Sequence, residues 1–390
     1  MHHHLTEEHR TIQDLARKIA EEKVRPVRQK YDEESIFPWD IVREMAKVDL
    51  FRVFIPAAYD GLVEDGQGIV NLCIVTEEIS KVCAGIALAF AGTGLGAFPI
   101  LLFGSEEQKR RYLPDIAAGK RLAAFGLTEP MAGSDAGAIK MTARRDGDHY
   151  VLNGTKIFIT NGGEADIYTV VALTNPAKGA RGASAFIVEK GTPGFEFGKK
   201  ESKMGIHASA TRELVFDNAR VPAANLLAKE GMGFIVAMKT FDFSRPGVAA
   251  QALGIAEGAM AETLRYIHQR HQFGKSVLSF QGIQWMLADM ATQIEASRAL
   301  IYQVADMIDH GEMKDIAYLS AMAKVFASDV AMKVTTDAVQ IFGGYGYMTE
   351  YPVEKMMRDA KITQIYEGTN QIQRNVIGAR LIREAARISG

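Results

Sequence analysis

The sequence predicts a mostly α-helical protein with a central β-domain, because the spacing of its apolar residues changes twice along the chain. Residues 5–120 have a helical period: in TIQDLARKIAEEKVRPV, apolar residues such as Ile12 and Leu15 recur with charges between them. Residues 121–232 instead alternate apolar and polar positions in short runs between turn residues. The helical period returns over residues 233–387. We therefore expect three domains, which are helical, β and helical in that order.

The middle region is predicted to be a β-barrel or a β-sandwich. Runs such as HYVLNGTKIFIT, IYTVVALT and SAFIVEK have the strand pattern, and Asn153-Gly154 and Pro193-Gly194 supply turns between runs. A stretch of about one hundred residues with this pattern is long enough for either architecture. The pattern alone leaves both open.

The two helical regions are predicted from different features. In the first, IVNLCIVTEEISKV is expected to form a largely buried helix with one polar face. The last contains long amphipathic runs, such as QWMLADMATQIEASRALIYQVADMI and LSAMAKVFASDVAMKVTTDAVQI. Many small residues lie among the apolar ones and permit close helix packing, so a four-helix bundle is predicted there.

The composition excludes several classes of protein. The 390 residues carry a formal net charge of -2, which argues against a nucleic-acid partner. Two cysteines, Cys73 and Cys83, form no CxxC pair, so we expect no disulfide framework and a reducing compartment. No apolar run is expected to reach the about 18 residues of a membrane helix, and no membrane insertion is predicted.

The N-terminus has neither a signal-peptide core nor a transit pattern. We therefore expect a cytoplasmic bacterial protein, with a mature mitochondrial matrix form as the alternative. His2, His3 and His4 are interpreted as a tag remnant rather than as metal ligands, and no metal site is predicted.

Two glycine-rich segments do not predict a dinucleotide-binding fold. GTGLG at 92–96 and GGYGY at 343–347 lack the GxGxxG spacing and the strand–turn–helix context. Any cofactor must be held in another way. The loop FGLTEPMAGSD at 125–135 has an irregular backbone whose N–H groups could bind an anionic or heteroaromatic ligand, or could form a simple turn. Phe158, in IFITNGG, could flank a ring or belong to the core.

Glu367 stands at a break before the last helix, which we expect to begin near Thr369 as its N-cap. A carboxylate in this place is stabilised by the helix dipole. The segment alone is therefore compatible with a structural acid or with a catalytic one.

Six segments taken together closely resemble the acyl-CoA dehydrogenase family. They are FGLTEPMAGSD, FITNGG, FDFSRP, RHQFGK, QIFGGYGYMTEYPVEKMMRDAK and QIYEGTNQIQR, and they occur in the family's order and spacing over residues 7–382. The resemblance implies an N-terminal helical domain, a middle β-domain and a C-terminal four-helix bundle. It also implies a homotetramer in which FAD lies between β-domain and bundle and reaches a neighbouring subunit. Fatty acid metabolism is the implied setting, with an electron-transfer flavoprotein as acceptor.

The resemblance also implies roles for individual residues. Flavin contacts are implied for Phe125, Leu127, Thr128, Gly133, Ser134, Phe158, Ile159, Thr160, Thr369 and Gln371. Contacts to the adenine-dinucleotide end of the FAD in an adjacent subunit are implied for Arg270, Gln272, Phe273, Gln281, Gln340, Ile341, Gly343 and Gly344. Substrate contacts are implied for Ser134, Asp242, Arg245, Tyr366, Glu367 and Gly368, although Arg245 could equally be a structural ion-pair partner. Many relatives carry Trp where this chain has Phe158, and Met131 replaces a common glycine.

Glu367 matches the family's catalytic base. Some branched- and long-chain relatives place this carboxylate near Ser244 instead, so the chain follows the short- and medium-chain pattern. The implied reaction is α,β-dehydrogenation of an acyl-CoA to the 2-enoyl-CoA. A cyclic or glutaryl-type dehydrogenase stays open, because the small residues of AFAGTGLGAFPI could widen the acyl pocket or could serve helix packing. A non-catalytic DNA-binding relative is the other alternative, to which the last helix contributes Arg374, Arg380, Arg383 and Arg387.

Overall fold

The structure, a computed structural model, describes residues 5–388, so the predicted tag remnant at His2–His4 lies outside the described residues. Within that range the sheet is preceded by the helices α1 (Glu7–Ile19), α2 (Arg28–Glu33), α3 (Trp39–Lys47), α4 (Ile69–Ser80), α5 (Ala84–Phe103) and α6 (Glu106–Ala117). Short π- and 3₁₀-turns join them. α1 and α6 begin with capping boxes, in which Thr6 and Ser105 accept from the third helical N–H group.

Helices α4 and α5 form the centre of the first part. Every residue of α4 is buried, as predicted, but its polar residues are buried too rather than forming a solvated face. The prediction that no apolar run is long enough for a membrane helix was wrong. α5 is a 20-residue helix with a mean hydropathy of 2.0 and no charge, and 72% of its most apolar window is buried inside the protein. Its many Gly and Ala residues let neighbouring elements pack closely around it.

The middle part is one continuous sheet rather than two separate ones. Its strands are β1 (Ala123–Gly126), β2 (Thr142–Asp146), β3 (His149–Thr160), β4 (Ile167–Leu173), β5 (Ala183–Glu189), β6 (Phe195–Lys200), β7 (Thr211–Pro222) and β8 (Leu226–Leu227). They are ordered β6-β7-β3-β2-β4-β5-β8, and β1 pairs with β4 in parallel. The long β3–β7 pair is antiparallel and contains two register shifts, the second next to Phe158.

The last part is helical again, which confirms the predicted order of helical, β and helical regions. It contains α7 (Gly233–Gln269), α8 (Gln281–Asp309), α9 (Ile316–Phe342), α10 (Val353–Thr363) and α11 (Asn370–Ile388), with a two-stranded hairpin, β9 (His271–Gln272) and β10 (Lys275–Ser276), after α7. α7, α8 and α9 pack on one another, α11 packs on α9, and the short α10 packs on α7 and α9. α7 also packs along α4 and α5, so the helical parts share one core. The domain boundaries at 120/121 and 232/233 stay predictions.

Candidate active site

A cavity of about 600 Å³ lies where the three parts meet. The first part contributes α4 and α5, the sheet contributes β1, β3 and the loops around them, and the last part contributes α7, α10 and the α10–α11 turn. Most of the lining side chains are apolar, such as Leu72, Leu88, Leu95, Phe98 and Phe241. A cavity of this kind excludes water from most of its wall.

Glu367 lines this cavity from the turn between α10 and α11. Its backbone is left-handed, with a φ of 51°, and Gly368 follows with a φ of 92°. A non-glycine residue in this region costs about 1–3 kcal/mol of strain, and such residues concentrate at functional sites. Thr369 then caps the helix, because its hydroxyl accepts a hydrogen bond of 3.3 Å from the Ile372 N–H. The predicted helix start near Thr369 is thereby confirmed.

The Glu367 carboxylate is partly exposed to the cavity and has one hydroxyl partner. The Ser244 hydroxyl donates to its Oε2 atom over 2.5 Å. Burial raises the pKa of Glu367, while the Ser244 hydrogen bond and the charges of Arg245 and Lys324 oppose that increase. Glu201 also lines the cavity, but its Oε2 lies 3.1 Å from the ammonium of the exposed Lys199.

The backbone around Glu367 is held by its carbonyl groups. The Glu367 carbonyl accepts from Gln373 Nε2 at 3.1 Å and from Arg245 Nε at 3.4 Å. The Gly368 carbonyl accepts from Gln373 Nε2 at 2.8 Å and from Lys324 Nζ at 2.9 Å. Among residues 5–388, nothing accepts a hydrogen bond from the Glu367 N–H, which leaves that donor available to a ligand.

The predicted flavin-facing residues of the β-domain all line this cavity: Phe125, Leu127, Thr128, Gly133, Ser134, Phe158, Ile159 and Thr160. Phe158 is 61% exposed and has a φ of 59°, so it is not part of the core. Met131, at the position of the common glycine, is 86% exposed and does not line the cavity wall. In the described part of the chain, the N–H groups of Gly133 and Ser134 have no acceptor.

A buried ion pair that the sequence reasoning missed supports this wall. Lys156 Nζ lies 2.7 Å from Glu129 Oε1 and donates to the Leu127 carbonyl at 2.9 Å. Glu129 also accepts from the N–H groups of Lys140 and Met141. Burial lowers the pKa of Lys156 to about 8, against the opposing charge of Glu129. A sequence signal for this pair was available. Lys156 lies in the middle of the alternating strand HYVLNGTKIFIT, where a charged residue indicates a buried partner.

Asp242 and Arg245 do not line the cavity. They form a buried pair in which Arg245 Nη1 lies 3.3 Å from Asp242 Oδ1, and Arg245 reaches only the backbone of Glu367. This geometry is the structural ion pair that the sequence left as an alternative, and direct substrate contact by either residue stays a prediction. Tyr366 and Gly368, in contrast, do line the cavity, as does Thr369.

The residues predicted for the dinucleotide end divide between a second cavity and the surface. Arg270, Gln272, Ile341, Gly343 and Gly344 line a second cavity of about 470 Å³, not the first. Three other residues predicted for that end are exposed and line neither cavity: Phe273, Gln281 and Gln340. Gln371, predicted as a flavin contact, is also exposed and lines neither cavity. Phe273 is 93% exposed. The chain by itself therefore does not unite the two predicted halves of the cofactor site.

The segment AFAGTGLGAFPI both lines the cavity and serves packing, while a widened acyl pocket stays a prediction. Ala91, Gly92, Leu95 and Phe98 line the first cavity. Gly96 serves packing, because a Cβ there would lie 2.3 Å from the Ala124 nitrogen. α5 therefore presses against β1 through one glycine and borders the cavity through its neighbours.

Family comparisons cover almost the whole chain. The N-terminal, middle and C-terminal domains of acyl-CoA dehydrogenase match residues 6–120, 124–219 and 231–382. The chain belongs to the acyl-CoA dehydrogenase family. It is 48% identical over 385 residues to the short-chain specific acyl-CoA dehydrogenase of Clostridium acetobutylicum, covering 98% of this chain and 100% of that protein.

Solved acyl-CoA dehydrogenase structures have the same fold. Butyryl-CoA dehydrogenase from Megasphaera elsdenii superposes with a TM-score of 0.95 at 49% identity, covering 98% of this chain and all of that one. A chain solved in work on the electron transferring flavoprotein of Acidaminococcus fermentans also has a TM-score of 0.95, at 51% identity and the same coverage. An acyl-CoA dehydrogenase complexed with FAD from Bacillus anthracis has a TM-score of 0.90 at 34% identity, covering 100% of this chain and 69% of that one.

The first cavity fits FAD, the cofactor of acyl-CoA dehydrogenases. An isoalloxazine needs apolar walls for its ring faces and hydrogen-bond donors for its polar edge. The cavity offers both, since the exposed Phe158 ring borders it and the N–H groups of Gly133 and Ser134 lack acceptors within residues 5–388. No cluster of three or more metal-ligating side chains occurs among the described residues.

Proposed function

We propose that this acyl-CoA dehydrogenase oxidises a short- to medium-chain acyl-CoA to the 2-enoyl-CoA, with Glu367 as the base. The observation that carries the proposal is a carboxylate with a raised pKa, presented to an apolar cavity beside an unpaired backbone N–H group. Raising the pKa of a carboxylate brings it closer to the value of an effective base at neutral pH. When bound, FAD supplies the hydride acceptor for Cβ.

Glu367 has two tasks in the proposed reaction. Its side chain takes the proton from the carbon next to the thioester carbonyl. Its unpaired N–H donates to the thioester oxygen, where negative charge develops as the proton leaves. One such donor contributes about 3 kcal/mol to transition-state stabilisation. Ser244 keeps the carboxylate on the cavity side of α7 before substrate binds.

A short acyl chain is supported by polar residues in the cavity wall. The Tyr366 hydroxyl donates to Gln251 Oε1, and Gln251 Nε2 donates to the Ala84 carbonyl at 3.2 Å. Both Tyr366 and Gln251 line the cavity, and we propose that they close its acyl end. A glutaryl group would need a cation for its distal carboxylate. The cavity wall includes Lys203, Arg358 and Lys361. We propose that none of these cations belongs to the acyl end, which is formed by Leu88, Phe98 and Gln251.

We further propose a homotetramer, because residues predicted to hold one cofactor lie in two separate cavities and on the exposed surface. An electron-transfer flavoprotein is proposed as acceptor, in view of the similarity to the Acidaminococcus chain. We also propose a cytoplasmic location and a role in fatty acid metabolism; the named relatives are bacterial.

DNA binding is not supported, since Arg374 and Arg380 form ion pairs with Asp329 and Asp315.

The test compares Glu367→Gln with Glu201→Gln, since both acids line the cavity. Glu367→Gln should retain FAD and bind butyryl-CoA but lose turnover by about 100-fold or more, because a positioned base contributes about 10²–10⁴-fold. Glu201→Gln should keep most turnover, measured with an artificial electron acceptor. More than a tenth of the wild-type rate in Glu367→Gln would contradict the assignment.

A further inference from the structure

Lys324 is a buried cation without an acidic partner. It lies on α9 with a fully buried side chain. Among the described residues, the two other buried lysines each contact a carboxylate: Lys156 contacts Glu129, and Lys355 contacts Asp359. Within residues 5–388, no carboxylate lies within ion-pairing distance of Lys324 Nζ. Burying an ammonium group costs free energy unless an opposite charge or hydrogen bonds compensate it, so the buried position of Lys324 needs an explanation.

The ammonium group is bonded to the segment that carries the proposed base. Lys324 Nζ donates to the Gly368 carbonyl at 2.9 Å and to Asn370 Oδ1 at 3.0 Å. Asn370 is the first residue of α11, and its amide nitrogen donates to Ser328 Oγ at 2.9 Å, one turn further along α9. Lys324 thus ties both the residue after Glu367 and the start of the last helix to α9.

The hydrogen bonds of Lys324 bear directly on the conformation of Glu367. Left-handed backbone at a glutamate persists only when its surroundings over-determine it. Lys324 on α9 and Gln373 on α11 both donate to the Gly368 carbonyl. These two hydrogen bonds hold the Gly368 carbonyl against the helices and oppose its rotation towards the cavity. The Glu367 N–H is left unpaired in the same arrangement.

The charge of Lys324 also acts on the same carboxylate. The charged groups that face Lys324 are Glu367 and Arg245 from the site and Asp329 from its own helix. Burial lowers the pKa of Lys324 to about 7, and the negative charge of Glu367 opposes that decrease. By reciprocity, the positive charge of Lys324 lowers the pKa of Glu367.

We infer that Lys324 is a positioning residue for Glu367: its buried ammonium group fixes the strained Glu367–Gly368 turn through the Gly368 carbonyl and the first residue of α11. This inference rests on the proposed function, because it assigns a role in presenting the proposed base. Lys324 does not line the cavity and touches no substrate position.

The experiment compares wild type with Lys324→Met, Lys324→Arg and Lys333→Met. Methionine keeps most of the side-chain volume but removes the charge and the donors. Arginine restores charge and donors. Lys333 lies on the same helix with an exposed side chain and pairs with Asp337, so Lys333→Met is the matched control. The readouts are kcat and KM for butyryl-CoA, the pH profile of kcat/KM, and the midpoint of thermal unfolding.

In Lys324→Met we expect kcat to fall by about 10-fold, less than the about 10²–10⁴-fold that a positioned base itself contributes, with KM changed by less than about threefold. The acid limb of kcat/KM should move to higher pH by about one unit, the size of effect that a nearby opposite charge produces. Lys324→Arg should recover part of both changes, and Lys333→Met should match wild type. If Lys324→Met does not fold, Lys324→Gln is measured instead, with the same expected shift.

An unchanged kcat and acid limb in a folded variant without the lysine would overturn the inference. Failure of both neutral variants to fold would also overturn it, because the role of Lys324 would then be stability alone. Different results would contradict the proposed function itself: a wild-type protein that oxidises no acyl-CoA, or a Glu367→Gln variant that remains active.

Discussion

Replacing Ser244 with alanine should make the enzyme a weaker catalyst in acid. The Ser244 hydroxyl donates to the Glu367 carboxylate over 2.5 Å and so stabilises its charged form. Hydrogen bonds to a charged acceptor contribute about 1.5–3 kcal/mol. Since one pKa unit corresponds to about 1.4 kcal/mol, losing the bond should raise the pKa of Glu367 by about 1–2 units. Water entering from the cavity can replace part of the bond, which favours the lower value.

The direction of the expected pH shift follows from the protonation state of Glu367 that the reaction needs. The base must be deprotonated, so kcat/KM is low below the pKa of Glu367 and reaches a plateau above it. A higher pKa in Ser244→Ala moves this rise to higher pH by about one unit. Well below both pKa values, kcat/KM should therefore fall about 10-fold, while the plateau should change by less than about threefold.

The assay is kcat/KM for butyryl-CoA as a function of pH, with an artificial electron acceptor. Ser297→Ala is the matched control, because Ser297 is a buried helical serine whose hydroxyl, within residues 5–388, bonds only to the Gln293 carbonyl of its own helix, α8. It should reproduce the wild-type profile. An acid limb in Ser244→Ala that coincides with wild type would refute the claim that this hydroxyl stabilises the carboxylate.

Two further predictions concern the cavity wall. Gln251→Ala should shift substrate preference towards longer acyl chains. The ratio of kcat/KM for hexanoyl-CoA over butyryl-CoA should rise by about 10-fold, because a pocket contact discriminates one or two methylenes by about this factor. An unchanged ratio would exclude Gln251 from the acyl end. Lys156→Met should lower the free energy of unfolding by about 3 kcal/mol, since it strips the buried Glu129 of its counter-charge. It should also weaken FAD retention, measured by the fluorescence of released flavin; full retention would show that the pair does not support the flavin wall.

Most of the architecture could be predicted because it follows from the periodicity of long segments. The order of helical and β regions and the N-cap at Thr369 depend on local patterns, which the sequence contains directly. The length of the apolar run in α5 was underestimated because its Gly and Ala residues make the run less conspicuous, although it carries no charge. Eight residues of FGLTEPMAGSD and FITNGG, the predicted flavin contacts, line one cavity with Glu367.

The supporting contacts of the site could not be predicted, because they join residues far apart in the chain. Ser244 is 123 positions from Glu367, and Lys324 is 44 positions from Gly368. A partial signal existed on α9, where Ser320, Lys324 and Ser328 recur at the spacing of one helix face, and that face is buried. A lysine on a buried face indicates a partner but not its identity, which depends on how α9 and α11 pack.

The left-handed backbone at position 367 bears on how the acid of such an enzyme can change its place during evolution. Glycine adopts this φ without the steric penalty that a side chain meets. Because Ser244 already touches the carboxylate, a glutamate at 244 would deliver its oxygens to the same region from the opposite wall. If Glu367 were then replaced by glycine, the steric penalty at position 367 would disappear, while the glutamate at 244 would keep the negative charge in the site. The intermediate with acids at both positions would suffer mutual repulsion, so lineages are expected to settle on one arrangement or the other.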